Sequence, residues 1–184
     1  MRKILLTSAG FENKAIKKIF LELIGRKPEE IKALFIPTAA VYPDAIAVLQ
    51  KCMDDLLKAG VLPKNITVFD LHCGMNYEEL SKYDTVYFCG GDPQYLLNRI
   101  NDTHFNKTLK QFVDNGGVYV GVSAGSIVAT QDLPDNLGYI NCTLSVHVSQ
   151  GSKAGMIDTS SCPHVELTND QAILIDGDNC SVVE

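Results

Sequence analysis

A single hydroxyl group between two glycines is the feature of this sequence best suited to covalent chemistry. Ser123 is the centre of the pentapeptide GVSAG (residues 121–125), which directly follows an apolar run and directly precedes a segment compatible with a helix. A G-x-S-x-G sequence between a strand and a helix is typical of a nucleophile elbow, where a strained turn exposes the serine. The alternative is a glycine-lined turn without chemistry. The context favours the elbow and predicts Ser123 as a nucleophile.

Backbone N–H groups near this serine are candidates for an oxyanion hole. The N–H of Ala124 would begin the helix after the elbow, where negative charge is stabilised. Gly90 and Gly91 follow another predicted strand, and the carboxyl ends of parallel strands meet at one edge of a sheet. The glycine pair also fits a simple turn into a helix that starts at Pro93. We expect Gly90, Gly91 and Ala124 to be the oxyanion donors.

A serine at neutral pH needs a base and a group that orients the base. Histidine is the natural base, and His147 and His164 both follow the elbow in the sequence. His147 lies in the β-like run LSVHV and is the preferred candidate, whereas His164 lies in a predicted loop. Asp132 and Asp135 lie just beyond the elbow helix and are candidates for the orienting acid, although Asp beside Pro is also common in turns.

Composition excludes several classes of protein. The net charge is −6, and the basic residues are scattered along the chain, which is not typical of a nucleic-acid-binding protein. No run approaches the roughly 20 apolar residues of a membrane helix, and the apolar start is too short for a signal peptide. We therefore expect a cytoplasmic protein that binds neither nucleic acid nor membrane.

The cysteines and histidines show no metal-binding or redox pattern. None of the six cysteines forms a C-x-x-C pair, and the four histidines have no H-E-x-x-H spacing. Free thiols are the expectation in a reducing compartment, and we expect neither metal nor cofactor. Cys89, at a strand end without an elbow, is a weaker alternative nucleophile.

The elements that must position these residues follow an alternating pattern. Nearly continuous apolar runs predict buried parallel strands, and amphipathic segments between them predict covering helices. The predicted strands are Lys3–Thr7, Lys32–Pro37, Ile66–Leu71, Thr85–Cys89 and Gly117–Val122. The predicted helices are Glu12–Ile24, Asp44–Ala59, Pro93–Ile100 and Asp102–Asn115.

The C-terminal part has a different pattern. Short strands are predicted at Leu144–Val148 and in a hairpin over Gln171–Glu184, with no long helix between them. We expect antiparallel strands at the sheet edge. At 184 residues the chain is long enough for one domain, so the prediction is a single α/β domain over residues 1–184 with a doubly wound, mostly parallel sheet flanked by helices.

Three segments together resemble the peptidase E family of serine peptidases, the α-aspartyl dipeptidases. They are FIPTAA at the second strand, FCGGDPQYLL after the fourth, which is similar to the family's G-G-N-T-x-x-L, and YVGVSAGSIV at the elbow. The resemblance runs over most of the chain. It implies a class I glutamine amidotransferase-like fold in which Ser replaces the usual Cys.

The resemblance also implies roles for individual residues. Ser123 would be the nucleophile, with Ala124 and the Gly90-Gly91 pair as oxyanion donors. LGYINCTLSVHV resembles the family segment that ends in the base and selects His147, while ATQDLPDN resembles the acid-bearing segment and favours Asp132. Asp92 stands where the family usually has Asn.

The leading hypothesis is a serine peptidase that hydrolyses small peptides, including those with an N-terminal Asp, through a Ser-His-acid triad and an acyl-enzyme. One alternative is an amidase or cyanophycinase-like hydrolase with the same nucleophile. Another is a ligand-binding homologue without catalysis, suggested by a C-terminal half that is shorter than in peptidase E. The expected partner is a small peptide, and the protein is expected to be a monomer or homodimer.

Overall fold

The chain alternates strands and helices over its first two thirds. In the computed structural model, which describes residues 1–184, the strands are β1 (Lys3–Thr7), β2 (Ala33–Ile36), β3 (Ile66–Val68), β4 (Thr85–Phe88), β5 (Val118–Val122), β6 (Thr143–Ser145), β7 (Gly155–Met156), β8 (His164–Glu166), β9 (Ala172–Asp176) and β10 (Asn179–Val183). The helices are α1 (Lys14–Ile24), α2 (Pro43–Ala47), α3 (Leu49–Lys58), α4 (Tyr77–Leu80), α5 (Pro93–Asp102), α6 (Phe105–Asp114) and α7 (Ala124–Ile127).

Eight of the ten strands form one mixed sheet in the order β3-β2-β4-β5-β1-β9-β10-β7. The first five strands in this order are parallel, and β9, β10 and β7 continue the sheet antiparallel. The predicted fold class is therefore confirmed, including the C-terminal hairpin. Strands β6 and β8 pair with each other in a separate two-stranded sheet, which leads the chain towards His147.

Both faces of the large sheet are covered, which explains why its central strands are nearly continuous in apolar residues. β2, β4 and β5 are buried along their whole lengths. Helices α1 and α3 pack on one face through Phe20 and Leu56, and α5 and α6 pack on the other through Leu96 and Leu109. Burial of each such side chain stabilises the folded state by about 1.5–3 kcal/mol. None of these helices is long and apolar enough to cross a membrane.

One helix prediction is wrong at its centre. The segment Asp44–Ala59 was expected to be a single helix with Asp44 as its N-cap, but it divides at Val48 into α2 and α3. Tyr42 is the N-cap of α2, and Pro43 occupies the first helical position, so Asp44 falls within the first turn. The division brings a short, separately oriented helix to the edge of the sheet.

A second helix begins later than predicted. Residues up to Asp102 belong to α5, and α6 starts only at Phe105 because His104 takes the left-handed conformation, with φ of 57°. A non-glycine residue in this region ends regular helix, so one continuous helix is not possible here. The apolar face of Phe105, Leu109 and Phe112 is buried as the periodicity predicted.

Candidate active site

Ser123 occupies a strained turn between β5 and α7. Its backbone has φ of 50° and ψ of −105°, a conformation that non-glycine residues rarely adopt. The flanking glycines are required by close packing. A Cβ on Gly121 would lie 2.4 Å from the carbonyl oxygen of Gly125, and one on Gly125 would lie 2.7 Å from Cβ of Phe88. The two glycines therefore let strand and helix approach, while Ser123 as a residue stays partly exposed.

The imidazole of His147 lies beside the hydroxyl of Ser123. Its Nε2 is 3.1 Å from Oγ of Ser123, within hydrogen-bond distance. His147 also has a positive φ, of 60°, and its backbone N–H donates to Oγ of Ser8 at 2.8 Å. Ser8 is fully buried at the end of β1. The loop after β6 is thus tied to the central sheet at the point where it presents the imidazole.

Asn169 is the residue that orients His147, and it was not predicted from the sequence. Its Oδ1 is 2.8 Å from Nδ1 of the imidazole, and Oγ of Ser8 donates to the same oxygen at 3.4 Å. An amide oxygen can only accept, so Nδ1 carries the proton and donates it. Nε2 then keeps its lone pair for the Ser123 hydroxyl, which is the tautomer that a general base requires.

The assignment of Asp132 as the orienting acid is corrected by this arrangement. Its Oδ2 accepts the hydroxyl of Thr130 at 2.6 Å and the N–H of Leu144 at 2.9 Å, so it holds the start of β6. Neither Asp132 nor the alternative Asp135 hydrogen-bonds to His147. The carboxylate is a structural group that shapes the segment leading to the imidazole.

The alternative base, His164, lies elsewhere. It begins β8 and does not belong to a loop, and its two ring nitrogens contact the hydroxyls of Thr143 at 2.9 Å and Ser145 at 3.1 Å. Both partners are on the adjacent strand β6. His164 is therefore part of the small sheet and does not contact Ser123.

Two of the three predicted oxyanion donors are free. The N–H groups of Gly91 and Ala124 have no acceptor within the protein, which leaves them available to a ligand. The backbone of Gly90 differs from these two in that it also helps to lower the pKa of the Cys52 thiol. Gly90 still matters at this site because a Cβ there would lie 3.2 Å from Cβ of Ser123.

A buried carboxylate anchors the loop that carries Ser8. Asp55 of α3 accepts the hydroxyl of Tyr87 at 2.6 Å and the backbone N–H of Phe11 at 3.0 Å. Burial raises the pKa of Asp55 above its ordinary value, and the two donated bonds oppose this effect. The carboxylate joins α3, β4 and the β1–α1 loop beneath the site.

The alternative nucleophile Cys89 is sealed inside the protein. It has no solvent-exposed surface, and burial raises the pKa of its thiol well above the ordinary value. Its neighbour Cys52 differs, because hydrogen bonding from Cys89 lowers the pKa of the Cys52 thiol. Attack by Cys89 on an external substrate has no route in this structure.

A cavity of about 390 Å³ opens beside Ser123 and His147. Its lining combines polar groups with small and apolar side chains from three strand ends and from the α2–α3 segment. The lining residues are Ser8, Ala9, Asp44, Ala45, Val48, Lys51, Cys52, Gly90, Gly91, Val122, Ser123 and His147. No group of three or more His, Cys, Asp or Glu residues in the chain is arranged to hold a metal ion.

Comparison with known proteins gives a family match and similar proteins named as peptidases. The model of peptidase family S51 matches residues 4–176. The chain is 25% identical over 138 residues to an uncharacterized peptidase of Listeria monocytogenes, covering 73% of this chain and 65% of that protein. It is 22% identical over 133 residues to an uncharacterized peptidase of Pasteurella multocida, covering 72% of this chain and 62% of that protein. The chain thus spans slightly less than two thirds of the length of these relatives.

Solved structures show the same fold. A crystal structure of a Listeria monocytogenes protein named after peptidase E superposes with a TM-score of 0.76, over 100% of this chain and 98% of that chain. A peptidase from an acI-B1 actinobacterium superposes with a TM-score of 0.66, over 100% of this chain and 87% of that chain. Both proteins are 19% identical to this chain in sequence. At this level the superposition shows a shared fold.

Proposed function

Because the chain belongs to peptidase family S51, we propose that it is a cytoplasmic serine peptidase that hydrolyses small peptides through an acyl-enzyme. The observation that carries this proposal is the 3.1 Å contact between Nε2 of His147 and Oγ of Ser123 at a strained elbow. A nucleophile within hydrogen-bond reach of an oriented base is the basic requirement of covalent acyl transfer. The six unpaired cysteines suit a reducing compartment.

Acylation begins with the Ser123 hydroxyl. His147 accepts its proton at Nε2 as Oγ attacks the carbonyl carbon of the substrate, and the carbonyl oxygen becomes an oxyanion. The free N–H groups of Gly91 and Ala124 are the proposed donors to that oxygen. The protonated imidazole then gives its proton to the leaving amine, the C–N bond breaks, and the acyl group remains on Oγ.

Deacylation repeats these steps with water. His147 takes a proton from the water molecule that attacks the ester, and it returns that proton to Oγ of Ser123 as the acid product leaves. The proton count closes over the cycle, and no cofactor is needed. Since both half-reactions pass through a cationic imidazolium, the group at Nδ1 affects both of them.

The proposed triad is Ser123-His147-Asn169, with a neutral third member. The Asn169 oxygen fixes the tautomer through the 2.8 Å contact, but an amide stabilises the imidazolium less than a carboxylate does. Ser8 supports both residues, since it accepts the N–H of His147 and donates to Asn169. Orientation is therefore the main contribution of Asn169.

Substitution of Asn169 tests this role. We expect Asn169→Ala to lower kcat/KM for a peptide substrate roughly 10- to 100-fold, because the imidazole loses the partner that fixes its tautomer. Asn169→Asp should retain activity, and the acidic limb of its pH–rate profile should move to higher pH, since a carboxylate favours the protonated imidazole. The profile of kcat/KM between pH 4 and pH 9 measures both effects.

Asp132→Asn is the matched control, because it alters a carboxylate that holds Leu144 and keeps an acceptor oxygen in place. We expect its pH–rate profile to match that of the wild type. A shifted profile in Asp132→Asn, with none in Asn169→Asp, would return the orienting role to Asp132.

The substrate preference is proposed from the charge of the cavity. Lys51 is the one lysine or arginine among the lining residues and pairs with Glu12, and Asp44 is the one acidic residue of the lining. A cation at this position suits a substrate with an acidic side chain, such as a peptide with an N-terminal Asp. We expect Asp-Leu to be cleaved about tenfold or more faster than Asn-Leu, which has the same shape without the charge.

Release of leucine, followed by chromatography, measures both rates with the same product. β-Aspartyl-leucine extends the panel to the linkage found in cyanophycin-like substrates. Equal rates for Asp-Leu and Asn-Leu would contradict a charge-reading pocket, and faster release from the β-linked peptide would favour the alternative hydrolase.

A further inference from the structure

A short segment beside the cavity, formed by helix α2 and its flanking residues, exposes apolar side chains that the fold leaves unburied. Four of the nine large apolar residues exposed by the chain lie within residues 41–48, namely Val41, Tyr42, Ile46 and Val48. Helix α2 buries none of its residues, whereas the adjoining α3 buries Cys52 and Leu56 against the sheet. Exposed apolar side chains that are clustered in this way mark a binding surface more often than isolated ones do.

The surface is continuous with the cavity at Ser123. Val48 is 45% exposed and belongs to the cavity wall, together with Ala45 of the same segment. Ala9 and Val122 extend this wall towards the serine. Ile46 and Tyr42, 52% and 56% exposed, lie on the same segment and add apolar surface beside the mouth.

The segment is fixed in position relative to the strand-end turn that carries the proposed oxyanion donor. The N–H of Asp92 donates to the carbonyl oxygen of Ala39 at 2.8 Å, and a Cβ on Gly91 would lie only 1.9 Å from that oxygen. The hydroxyl of Tyr42 also donates to the Asp92 carboxylate at 3.2 Å. The apolar wall therefore keeps a set distance from the reacting carbonyl of a bound peptide.

We propose that Ala45, Val48 and the exposed residues around them form a subsite for a large apolar side chain next to the scissile bond. The inference rests on the proposed peptidase function and specifies its substrate class as peptides with a leucine- or phenylalanine-like residue beside that bond. An apolar side chain would cover surface that now faces water, and the nearby peptide groups would reach Ser123. Lys51, which pairs with Glu12, and Asp44 belong to the same lining and are the charged groups that the peptide would meet there.

Binding to the Ser123→Ala protein tests the subsite without turnover. Gly-Gly, Gly-Leu and Leu-Gly are titrated separately into the labelled protein, and amide NMR shifts give each dissociation constant. We expect one of the two leucine peptides to bind roughly tenfold more tightly than Gly-Gly, as is typical when a pocket accepts an apolar side chain. Equal binding of all three peptides would overturn the proposal.

A surface variant locates the effect. In the double variant Ser123→Ala/Val48→Asp, the advantage of leucine should fall below about twofold, because a carboxylate replaces part of the apolar wall. Val68→Asp in the same background is the control, since Val68 is 58% exposed on the edge strand β3 and does not line the cavity, and the advantage should persist. Thermal unfolding checks that both proteins are folded.

Two further outcomes separate this inference from its rivals. If Val48→Asp halves the molar mass in sedimentation and leaves the leucine advantage unchanged, the surface is a contact between two copies of the chain and the proposal is overturned. If the wild type cleaves no peptide but binds leucine peptides through Val48, the peptidase proposal fails and the subsite stands. Cleavage without any leucine advantage rejects the subsite alone.

Discussion

Replacing Ser123 with alanine is expected to reduce kcat/KM for Asp-Leu hydrolysis by at least about 10⁴-fold, the scale seen when the nucleophile of a serine hydrolase is removed. The change deletes the only atom that can form the acyl-enzyme and removes the 3.1 Å partner of His147. Alanine fits the same backbone turn with fewer atoms, so we expect the fold to be kept. Leucine release at substrate concentrations below KM gives the ratio directly.

The matched control is Ser145→Ala, which removes a hydroxyl that contacts His164 in the small sheet. Its kcat/KM should stay within about twofold of the wild type, because surface substitutions away from the site have small effects. Mass spectrometry after incubation with a phosphonate ester adds an independent readout, since only proteins that keep Ser123 should gain the adduct. Undiminished hydrolysis by Ser123→Ala would reject this residue as nucleophile.

The central sheet and the elbow could be predicted because their signals are local. Apolar runs in β2, β4 and β5 reflect burial on both faces, and the glycines around Ser123 reflect a close approach of strand and helix. Each pattern follows from a physical requirement that acts within a few residues. The helix boundaries at Val48 and His104 were missed because backbone conformation at single residues is decided by tertiary contacts.

Asn169 could not be found in this way. It lies in the turn between β8 and β9, far in sequence from both Ser123 and His147, and only the pairing of β9 with β1 brings that turn beside Ser8. Asparagine in a turn is also common for reasons of backbone geometry, so its type gave no signal. Asp132 was preferred because its segment resembles the acid-bearing segment of peptidase E, but the fold uses that carboxylate to hold β6.

The strained backbone conformations of Ser123 and His147 depend on contacts from other parts of the fold. Ser123 and His147 both have positive φ, and the two residues meet through side chains held by separate loops. Such conformations persist only when surrounding contacts impose them. Here the contacts are the packing of Gly121 on Gly125 for the serine, and the hydrogen bond to Ser8 for the histidine.

We expect His147→Ala to be nearly as damaging as the loss of the nucleophile and to lower kcat/KM by about 10⁴-fold or more. The reason is that unassisted attack by a serine hydroxyl is slow at neutral pH. The control is His164→Ala, which we expect to keep activity within about twofold, since the hydrogen-bond partners of that ring are Thr143 and Ser145. Leucine release from Asp-Leu measures both variants. A larger loss in His164→Ala than in His147→Ala would reverse the assignment of the base.

The double variant Ser123→Ala/His147→Ala distinguishes a working dyad from two independent contributions. Residues that act in one chemical step are strongly non-additive, so we expect the double variant to be no slower than the worse single variant. Independent roles would instead multiply the two losses. Residual hydrolysis common to all three proteins would measure what the N–H groups of Gly91 and Ala124 contribute by binding the oxyanion, because those donors are unchanged throughout.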